Sequence, residues 1–389
     1  MDKVRIAIIG VGTMGSAHVA TIDKLNNCTV SAICDINPDV LKKYANRQNT
    51  KLFKSADELF ADGGSFDAVI VATPHYFHVP LALQALEHGK HVLTEKPISV
   101  HKALAQKLVD AIPKYPDLKV AAMFNQRTLN AHKKIKQLID NGELGEIRRV
   151  NWIITTWFRS QFYYDSGDWR ASWRGEGGGV LLNQCPHQLD LMQWFFGMPS
   201  KVTSFLSIGK YHDIEVEDEV TAYLEYPNGA TGVFITTTGE APGTNRLEIT
   251  GERGRLVYES GKISFLRNEV PTTEFRMNSK THFGSPEKWE INVPYKADTK
   301  QQHMNVIENF ADAILKGTPL VAPAQEGIRG LELGNAMLLS GLKHKTVELP
   351  MDAAEFEAML NELVAKSRYV KKTSAGEDNV DSASLNSSF

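Results

Sequence analysis

Residues 4–15 narrow the choice of fold more than any other part of the chain. Val4 to Ile9 reads V-R-I-A-I-I, an apolar run of strand length, and Gly10-Val11-Gly12-Thr13-Met14-Gly15 follows at once. A helical stretch from about Ser16 to Leu25 comes next. A G-x-G-x-x-G run alone carries little weight, but between a buried strand and a helix it specifies a dinucleotide-binding turn. Gly10 makes the tight turn, Gly12 lets backbone approach a pyrophosphate, and Gly15 lets helix and strand pack closely. The helix N-terminus then presents free N–H groups to the phosphates. Thr13 and Met14, inside the loop, are candidate contacts on the same grounds. A second strand, Thr29 to Cys34, ends at Asp35, 20 residues past Gly15, where an acid on the adenosine ribose is expected. A carboxylate there accepts from the ribose hydroxyls and repels a 2′-phosphate, which favours NAD over NADP. The alternative is that Asp35 only caps the turn into the helix opened by Asn37-Pro38.

The alternation continues. Ser55-Ala-Asp-Glu58 is a capping box, Phe66 to Thr73 is a buried strand, Phe77 to His88 is a helix closed by Gly89, and His91 to Thr94 is a strand. A helix from about Val100 to Ala111 and a strand near Val120 to Phe124 follow. Strands alternating with helices predict an α/β doubly wound parallel sheet of the Rossmann type over residues 1–125. Ligands of such sheets bind beyond the carboxyl ends of the strands. Thr73, Pro74, His75, His78, Glu95, Lys96 and Asn125 all fall there and are candidate cofactor contacts. His75 and His78 lack a third ligand at a sensible spacing, so no metal site is expected.

From Gly145 the pattern changes to closely spaced strands: 147–158, 201–208, 219–226, 231–238, 246–250, 255–259 and 262–266. Strands without intervening helices predict an α+β unit with a large, mostly antiparallel sheet over 126–370. The helix from His303 to Lys316 is expected to help cover one face, and the other face invites pairing into a homodimer or homotetramer. The basic face of the helix ending near Asn141 (His132, Lys133, Lys134, Lys136) reads as solvated surface. Residues 371–389 are small and polar, the composition of a disordered tail.

Gly175 to Asp190 interrupts that strand-rich pattern. Four of its first five residues are glycine, and Asn183, His187 and Asp190 follow. A helix starting near Val180 would put those three on one face. Upstream, Tyr163, Trp169 and Arg170 could pack on sugar faces and read hydroxyls or a carboxylate, or could serve an interface. His303 is a further pocket candidate. A net charge of −3 with no basic cluster argues against nucleic-acid binding. No apolar run has the length of a membrane span and no signal peptide fits before the first strand, so a cytoplasmic location is expected. Cys28, Cys34 and Cys185 have no paired spacing, which disfavours a disulfide framework.

Together these motifs resemble the Gfo/Idh/MocA oxidoreductases, the relatives of glucose–fructose oxidoreductase and inositol dehydrogenase. The resemblance rests on G-V-G-T-M-G at 10–15, Asp35, V-A-T-P-H-Y-F-H at 71–78, A-L-E-H-G-K-H-V-L-T-E-K-P at 85–97 and the Asn183/His187 stretch, and it extends to about Pro350. It implies an NAD(P)-dependent dehydrogenase acting on a sugar, cyclitol or related polyol. The family's catalytic lysine maps onto Lys96 and its catalytic histidine onto His187, and a cis peptide before Pro97 is implied. Where the family usually has Asp, this chain has Asn183, so a carboxylate–histidine proton relay is not implied here. Lys96, Asn183 and His187 join Tyr163, Trp169 and Arg170 as candidate substrate contacts. Two other activities stay open: a redox-assisted glycosidase or lyase with no net NADH, and a non-catalytic NAD-binding sensor.

Overall fold

The computed structural model describes residues 2–166 and 169–368. The expected tail at 371–389, and Asp168 in the aromatic loop, lie outside the described residues. Strands β1 (Val4–Ile9), β2 (Cys28–Cys34), β3 (Lys51–Phe53), β4 (Ala68–Val71), β5 (His91–Thr94) and β6 (Val120–Ala122) form one sheet in the order β3-β2-β1-β4-β5-β6. All of its pairings are parallel. Helices α1 (Thr13–Ile22), α2 (Pro38–Lys42), α3 (Ala56–Asp62), α4 (His78–Glu87) and α5 (Lys102–Ala111) alternate with the strands. The central strands are covered on both faces, and every residue of β4 is fully buried, as continuous apolar parallel strands require. The strand order reverses between β1 and β4, so a crevice opens beyond their carboxyl ends.

The second sheet contains β7 (Ile147–Ile154), β8 (Lys201–Ile208), β9 (Glu217–Glu225), β10 (Thr231–Thr237), β11 (Asn245–Gly251), β12 (Gly254–Glu259), β13 (Lys262–Asn268), β14 (Lys288–Val293) and β15 (Val347–Glu348). Their order is β14-β13-β12-β11-β7-β10-β9-β8-β15. β7 and β10 run parallel and the other pairs run antiparallel. β14 and β15 have no counterpart in the strand pattern of the sequence. β14 is an edge strand with only Val293 buried, so it lacks an apolar period, and β15 is two residues long. β9 shows the two-residue period of a half-buried sheet: Val220, Ala222 and Leu224 are buried, while Thr221, Tyr223 and Glu225 are exposed.

Helices α6 (Asn130–Asp140), α7 (Gln161–Asp165), α8 (Pro186–Phe196), α9 (Thr272–Asn278), α10 (Gln302–Lys316), α11 (Ala324–Lys343) and α12 (Ala353–Lys366) complete the chain. α11 packs on both α8 and β8. α10 does not cover the antiparallel sheet as expected. Its apolar stripe of Val306, Ile307, Phe310 and Ala311 joins the core formed by Val4, Ile6, Ile8 and Val30. The amphipathic period identifies a helix with one buried face but not the sheet that buries it, and residues within 126–370 thus complete the core of the first unit.

Two further expectations are corrected. The helix expected from Val180 begins at Pro186, because proline has no N–H to give inside a helix and is suited to its first position. Gly179 and Leu181 donate their N–H groups to the Glu217 carboxylate at 2.9 and 3.1 Å, and Val180 donates to the Glu217 carbonyl at 3.0 Å. Asn183 therefore sits in a turn, not on a helix face with His187. His132 is not part of a solvated face: it is 4% exposed, with Nδ1 2.9 Å from the Gln126 carbonyl oxygen.

Candidate active site

The glycine loop forms the cradle its spacing predicts. Gly10 leaves β1 at φ +85°, and a Cβ there would lie 2.8 Å from the Ala72 carbonyl oxygen. Gly15 presses so closely that a Cβ would lie 1.9 Å from the Gly10 carbonyl oxygen. Gly12 caps α1 without a side-chain partner, and a Cβ on it would meet nothing within 4 Å. The first-turn N–H groups at Thr13 and Met14 thus border open space, the arrangement that accepts a pyrophosphate. Asp35 braces this loop. Its Oδ2 accepts from Val11 N and its Oδ1 from Asn37 N, both at 2.8 Å. The turn-capping reading of Asp35 is therefore right as far as it goes, but the same carboxylate also holds the glycine loop.

The ends of β4, β5 and β6 bring their candidates together. Thr73 and Pro74 leave β4. His75 is 6% exposed, with Nδ1 3.3 Å from the Glu176 carbonyl oxygen and its ring edge-on to Trp169 at 5.1 Å. Burial, and then the charges of His78 and Lys96, keep His75 well below the usual histidine range. His78 departs from its expected role. Its ring nitrogens lie 2.7 Å from the carbonyl oxygens of Thr73 and Pro97, so it offers nothing to a ligand and instead ties two crevice loops together.

Glu95 is 5% exposed. One of its oxygens lies 2.6 Å from His18 Nε2 and the other accepts from Lys96 N at 3.1 Å. Burial pushes this carboxyl up, but the His18 hydrogen bond and charge, with His303 and Lys96, hold it down at about 2. The His303 ring lies 5.9 Å from the His18 ring, tilted at 53°, and Asn125 Nδ2 lies 3.3 Å from its ring nitrogens. Burial brings His303 down to about 4. His18 was not among the sequence candidates. Its signal was a polar residue within the buried stripe Gly15, His18, Val19 and Ile22 of α1.

Lys96 lies just past β5 and is joined to Pro97 by a cis bond, as the resemblance implied. Its Nζ donates to the Asn183 carbonyl at 3.1 Å. Burial, with the charges of Arg170 and Arg159, lowers the ammonium to about 8 against the opposing pull of Glu95 and Glu176. His187 occupies the first turn of α8, 1% exposed and edge-on to Phe124 at 6.3 Å. Burial first, and then Lys96, drive it well below the usual range, so the imidazole is neutral at neutral pH. The side-chain amide of Asn183 donates to Glu176 Oε1. Glu176 is 2% exposed, and its Oε2 accepts from Ala171 N at 2.7 Å. Glu176 was also absent from the candidates, although an acid inside a glycine run marked it.

Tyr163, Trp169 and Arg170 form a cluster beside His75, with Arg170 over both aromatic rings. Arg170 donates to Tyr163 Oη at 2.7 Å, and Gln184 donates to the same oxygen at 3.2 Å. Asp190 is tied up elsewhere. It is fully buried and takes two hydrogen bonds from Arg127, from Nε at 2.7 Å and from the second guanidinium nitrogen at 2.6 Å.

This geometry agrees with known proteins. Residues 4–122 match the family described as "Oxidoreductase family, NAD-binding Rossmann fold", and residues 132–257 match the "GFO/IDH/MocA C-terminal domain". The chain belongs to the GFO/IDH/MocA family. It is an oxidoreductase of the CH–OH dehydrogenase kind with a nicotinamide-binding half. The chain is 24% identical to the myo-inositol 2-dehydrogenase of Thermotoga maritima over 354 residues, covering 89% of this chain and 98% of that protein. It is also 24% identical to the levoglucosan dehydrogenase of Pseudarthrobacter phenanthrenivorans, covering 91% and 100%. Among solved structures, the WlbA dehydrogenase of Bordetella pertussis, in complex with NADH and UDP-GlcNAcA, superposes with a TM-score of 0.75. It is 24% identical, over 90% of this chain and 100% of that one.

Proposed function

We propose that this protein is an NAD-dependent dehydrogenase that oxidises a secondary hydroxyl of a sugar, sugar derivative or cyclitol. The observation that supports the reading is the Lys96 ammonium on the carbonyl of Asn183, four residues before His187, with the Lys96 charge lowering the imidazole. Ring polyols are named as substrates of two relatives of similar length, and the cradle around Gly12 suits a dinucleotide.

The nicotinamide, when bound, supplies the hydride acceptor. The chain's own residues handle the proton. Lys96 donates to the substrate oxygen and stabilises the negative charge that develops on it. His187, neutral at working pH, accepts the hydroxyl proton. Asn183 cannot titrate; it anchors Lys96 through its carbonyl and is itself anchored by Glu176. The Gly10–Gly15 loop carries the pyrophosphate, with Thr73, Pro74, His75, Glu95 and Asn125 lining the nicotinamide end of the crevice. Asp35 faces the adenosine ribose and selects NAD, because its carboxylate repels a 2′-phosphate. Among the described residues no helix is long and apolar enough to cross a membrane. We read the protein as a cytoplasmic homo-oligomer that pairs through the open face of the second sheet, where Phe205 and Tyr223 are exposed.

The test is to incubate the protein with NAD, and in parallel with NADP, and a panel of inositols, hexoses, glycosides and sugar acids, following NADH or NADPH absorbance. Stoichiometric NADH is expected with at least one polyol. Release of an aglycone without net NADH overturns the dehydrogenase reading, and equal or better use of NADP overturns the role of Asp35.

A further inference from the structure

The Lys96 ammonium donates to a backbone carbonyl, so whatever fixes that carbonyl helps to fix the lysine. The carbonyl is that of Asn183, 3.1 Å from Lys96 Nζ. Asn183 belongs to a tight turn. Leu182 N and Asn183 N both donate to the Gly179 carbonyl, at 3.1 and 2.9 Å, and Cys185 N donates to that of Val180 at 2.9 Å. The position of Gly179 therefore sets where Asn183 lies.

Gly179 is held in its turn by one residue of the nine-stranded sheet. Three successive N–H groups converge on Glu217, the first residue of β9. Gly179 N donates to Oε2 at 2.9 Å, Leu181 N to Oε1 at 3.1 Å, and Val180 N to the Glu217 carbonyl at 3.0 Å. A Cβ on Gly179 would lie 2.0 Å from that carbonyl oxygen, so the turn sits directly on the strand. Glu217 is 1% exposed, and burying a carboxylate is costly. An apolar side chain would avoid that cost but could not accept the N–H groups, and an amide offers one acceptor oxygen where the turn uses two. β9 itself is flanked by β10 and β8, and groups built on such an element are held more precisely than groups on a loop.

We propose that Glu217 is a positioning residue: through the Gly179–Asn183 turn it sets the carbonyl that orients the Lys96 ammonium. This rests on the dehydrogenase reading above, in which Lys96 meets the substrate oxygen, and adds to it the residue that places that lysine. Lys96 stands just past β5 of the parallel sheet, whereas Glu217 opens a strand of the other sheet. The Lys96–Asn183 hydrogen bond thus carries the geometry of one sheet to the reactive group of the other. Glu176, which accepts from the Asn183 side-chain amide, steadies the same residue from a second direction. With its acceptor fixed, the ammonium is confined before substrate arrives, and displacements of about 1 Å at such a group can cost about 10²-fold in rate.

The experiment compares wild type with Glu217→Gln, Glu217→Asp and Glu332→Gln in the full chain. Gln keeps the side chain's length and gives up one acceptor oxygen. Asp keeps the charge and both oxygens but falls one methylene short. Glu332 is the control, an acid 7% exposed whose partners are Lys102 Nζ and Met351 N. Burial pushes the Glu217 carboxyl up to about 7, so measurements start at about pH 8, where wild-type Glu217 is charged. Melting midpoints report stability. Trace acetylation with acetic anhydride across pH, resolved by peptide in a mass spectrometer, reports how tightly Lys96 holds its proton and needs no turnover. Both Glu217 variants should loosen that proton about threefold or more, because a hydrogen bond to the charged form is weakened. Glu332→Gln should leave it unchanged, whatever it does to the midpoint. With NAD and an oxidised polyol, kcat should fall about 10-fold or more in both Glu217 variants, with NADH affinity kept within about twofold. Glu217→Asp decides, since it keeps the charge. The proposal is overturned if that variant leaves Lys96 or kcat unmoved, even with a lowered midpoint. Should Asp not fold, Gln decides by the same criteria, and failure of both to fold assigns Glu217 to the fold alone and overturns the proposal. If wild type oxidises no polyol, the dehydrogenase reading falls and the Lys96 proton alone judges Glu217. If turnover persists in the variants with Lys96 unmoved, that reading stands and Glu217 leaves it.

Discussion

Replacing Lys96 by Met separates catalysis from stability at one residue. The ammonium is lowered from its ordinary 10.5 to about 8, chiefly by burial. That fall amounts to about 3 kcal/mol of preference for the neutral form. The side chain is partly exposed, and solvent screening reduces the figure to about 2 kcal/mol. Wild type bears this cost while the buried amine is charged, below about pH 8. Between about pH 8 and 10.5 the unfolded chain holds the proton more tightly than the folded one, so wild-type stability gains from rising pH. Met cannot titrate and lacks that slope. It also leaves the Asn183 carbonyl without its donor, which costs about 1 kcal/mol. Lys96→Met should therefore be about 1 kcal/mol more stable than wild type at pH 7, and the advantage should vanish or reverse by pH 10. Cys28 and Cys34, pushed up to about 12 by burial, weaken both proteins as pH rises and cancel in the comparison. Urea midpoints of both proteins from pH 7 to 10 supply the measurement. A difference that stays constant with pH, or a variant less stable at pH 7, refutes the reasoning, and retention of NADH production refutes the catalytic assignment.

His187→Ala should lower kcat by about 10²–10⁴, the usual contribution of a general base; activity within a few-fold of wild type removes His187 from the mechanism. Asp190→Ala should act on the fold. Among the described residues it leaves the Arg127 guanidinium, 1% exposed, with the partly exposed Glu326 as its acidic partner, and breaking such a buried pair costs about 3–5 kcal/mol. A large fall in denaturation midpoint is expected, with NADH affinity kept in the folded fraction. An unchanged midpoint with lost turnover would return Asp190 to the substrate site.

Much of this protein is legible in its sequence because the signals are local. The glycine loop, the alternation through Ala122, the cap at Asn37 and the strands from Lys201 to Asn268 each follow from steric and burial rules that act over a few residues. The spacing of Gly10 and Gly15 determines the tight turn from β1 into α1, because a Cβ at either would meet backbone at 2.8 and 1.9 Å. Tertiary structure decided what local rules cannot reach. α10 belongs to the core of the parallel sheet because its apolar stripe meets β1 across 300 residues of chain. Asp190 is structural because Arg127, from another element, reaches it first. The turn ahead of the helix at Pro186 is held by Glu217, on β9, which accepts the N–H groups of Gly179 and Leu181. Which polar residues of the Gly175–Asp190 stretch can reach a ligand depends on partners remote in the chain, and remote pairing leaves no mark on local spacing.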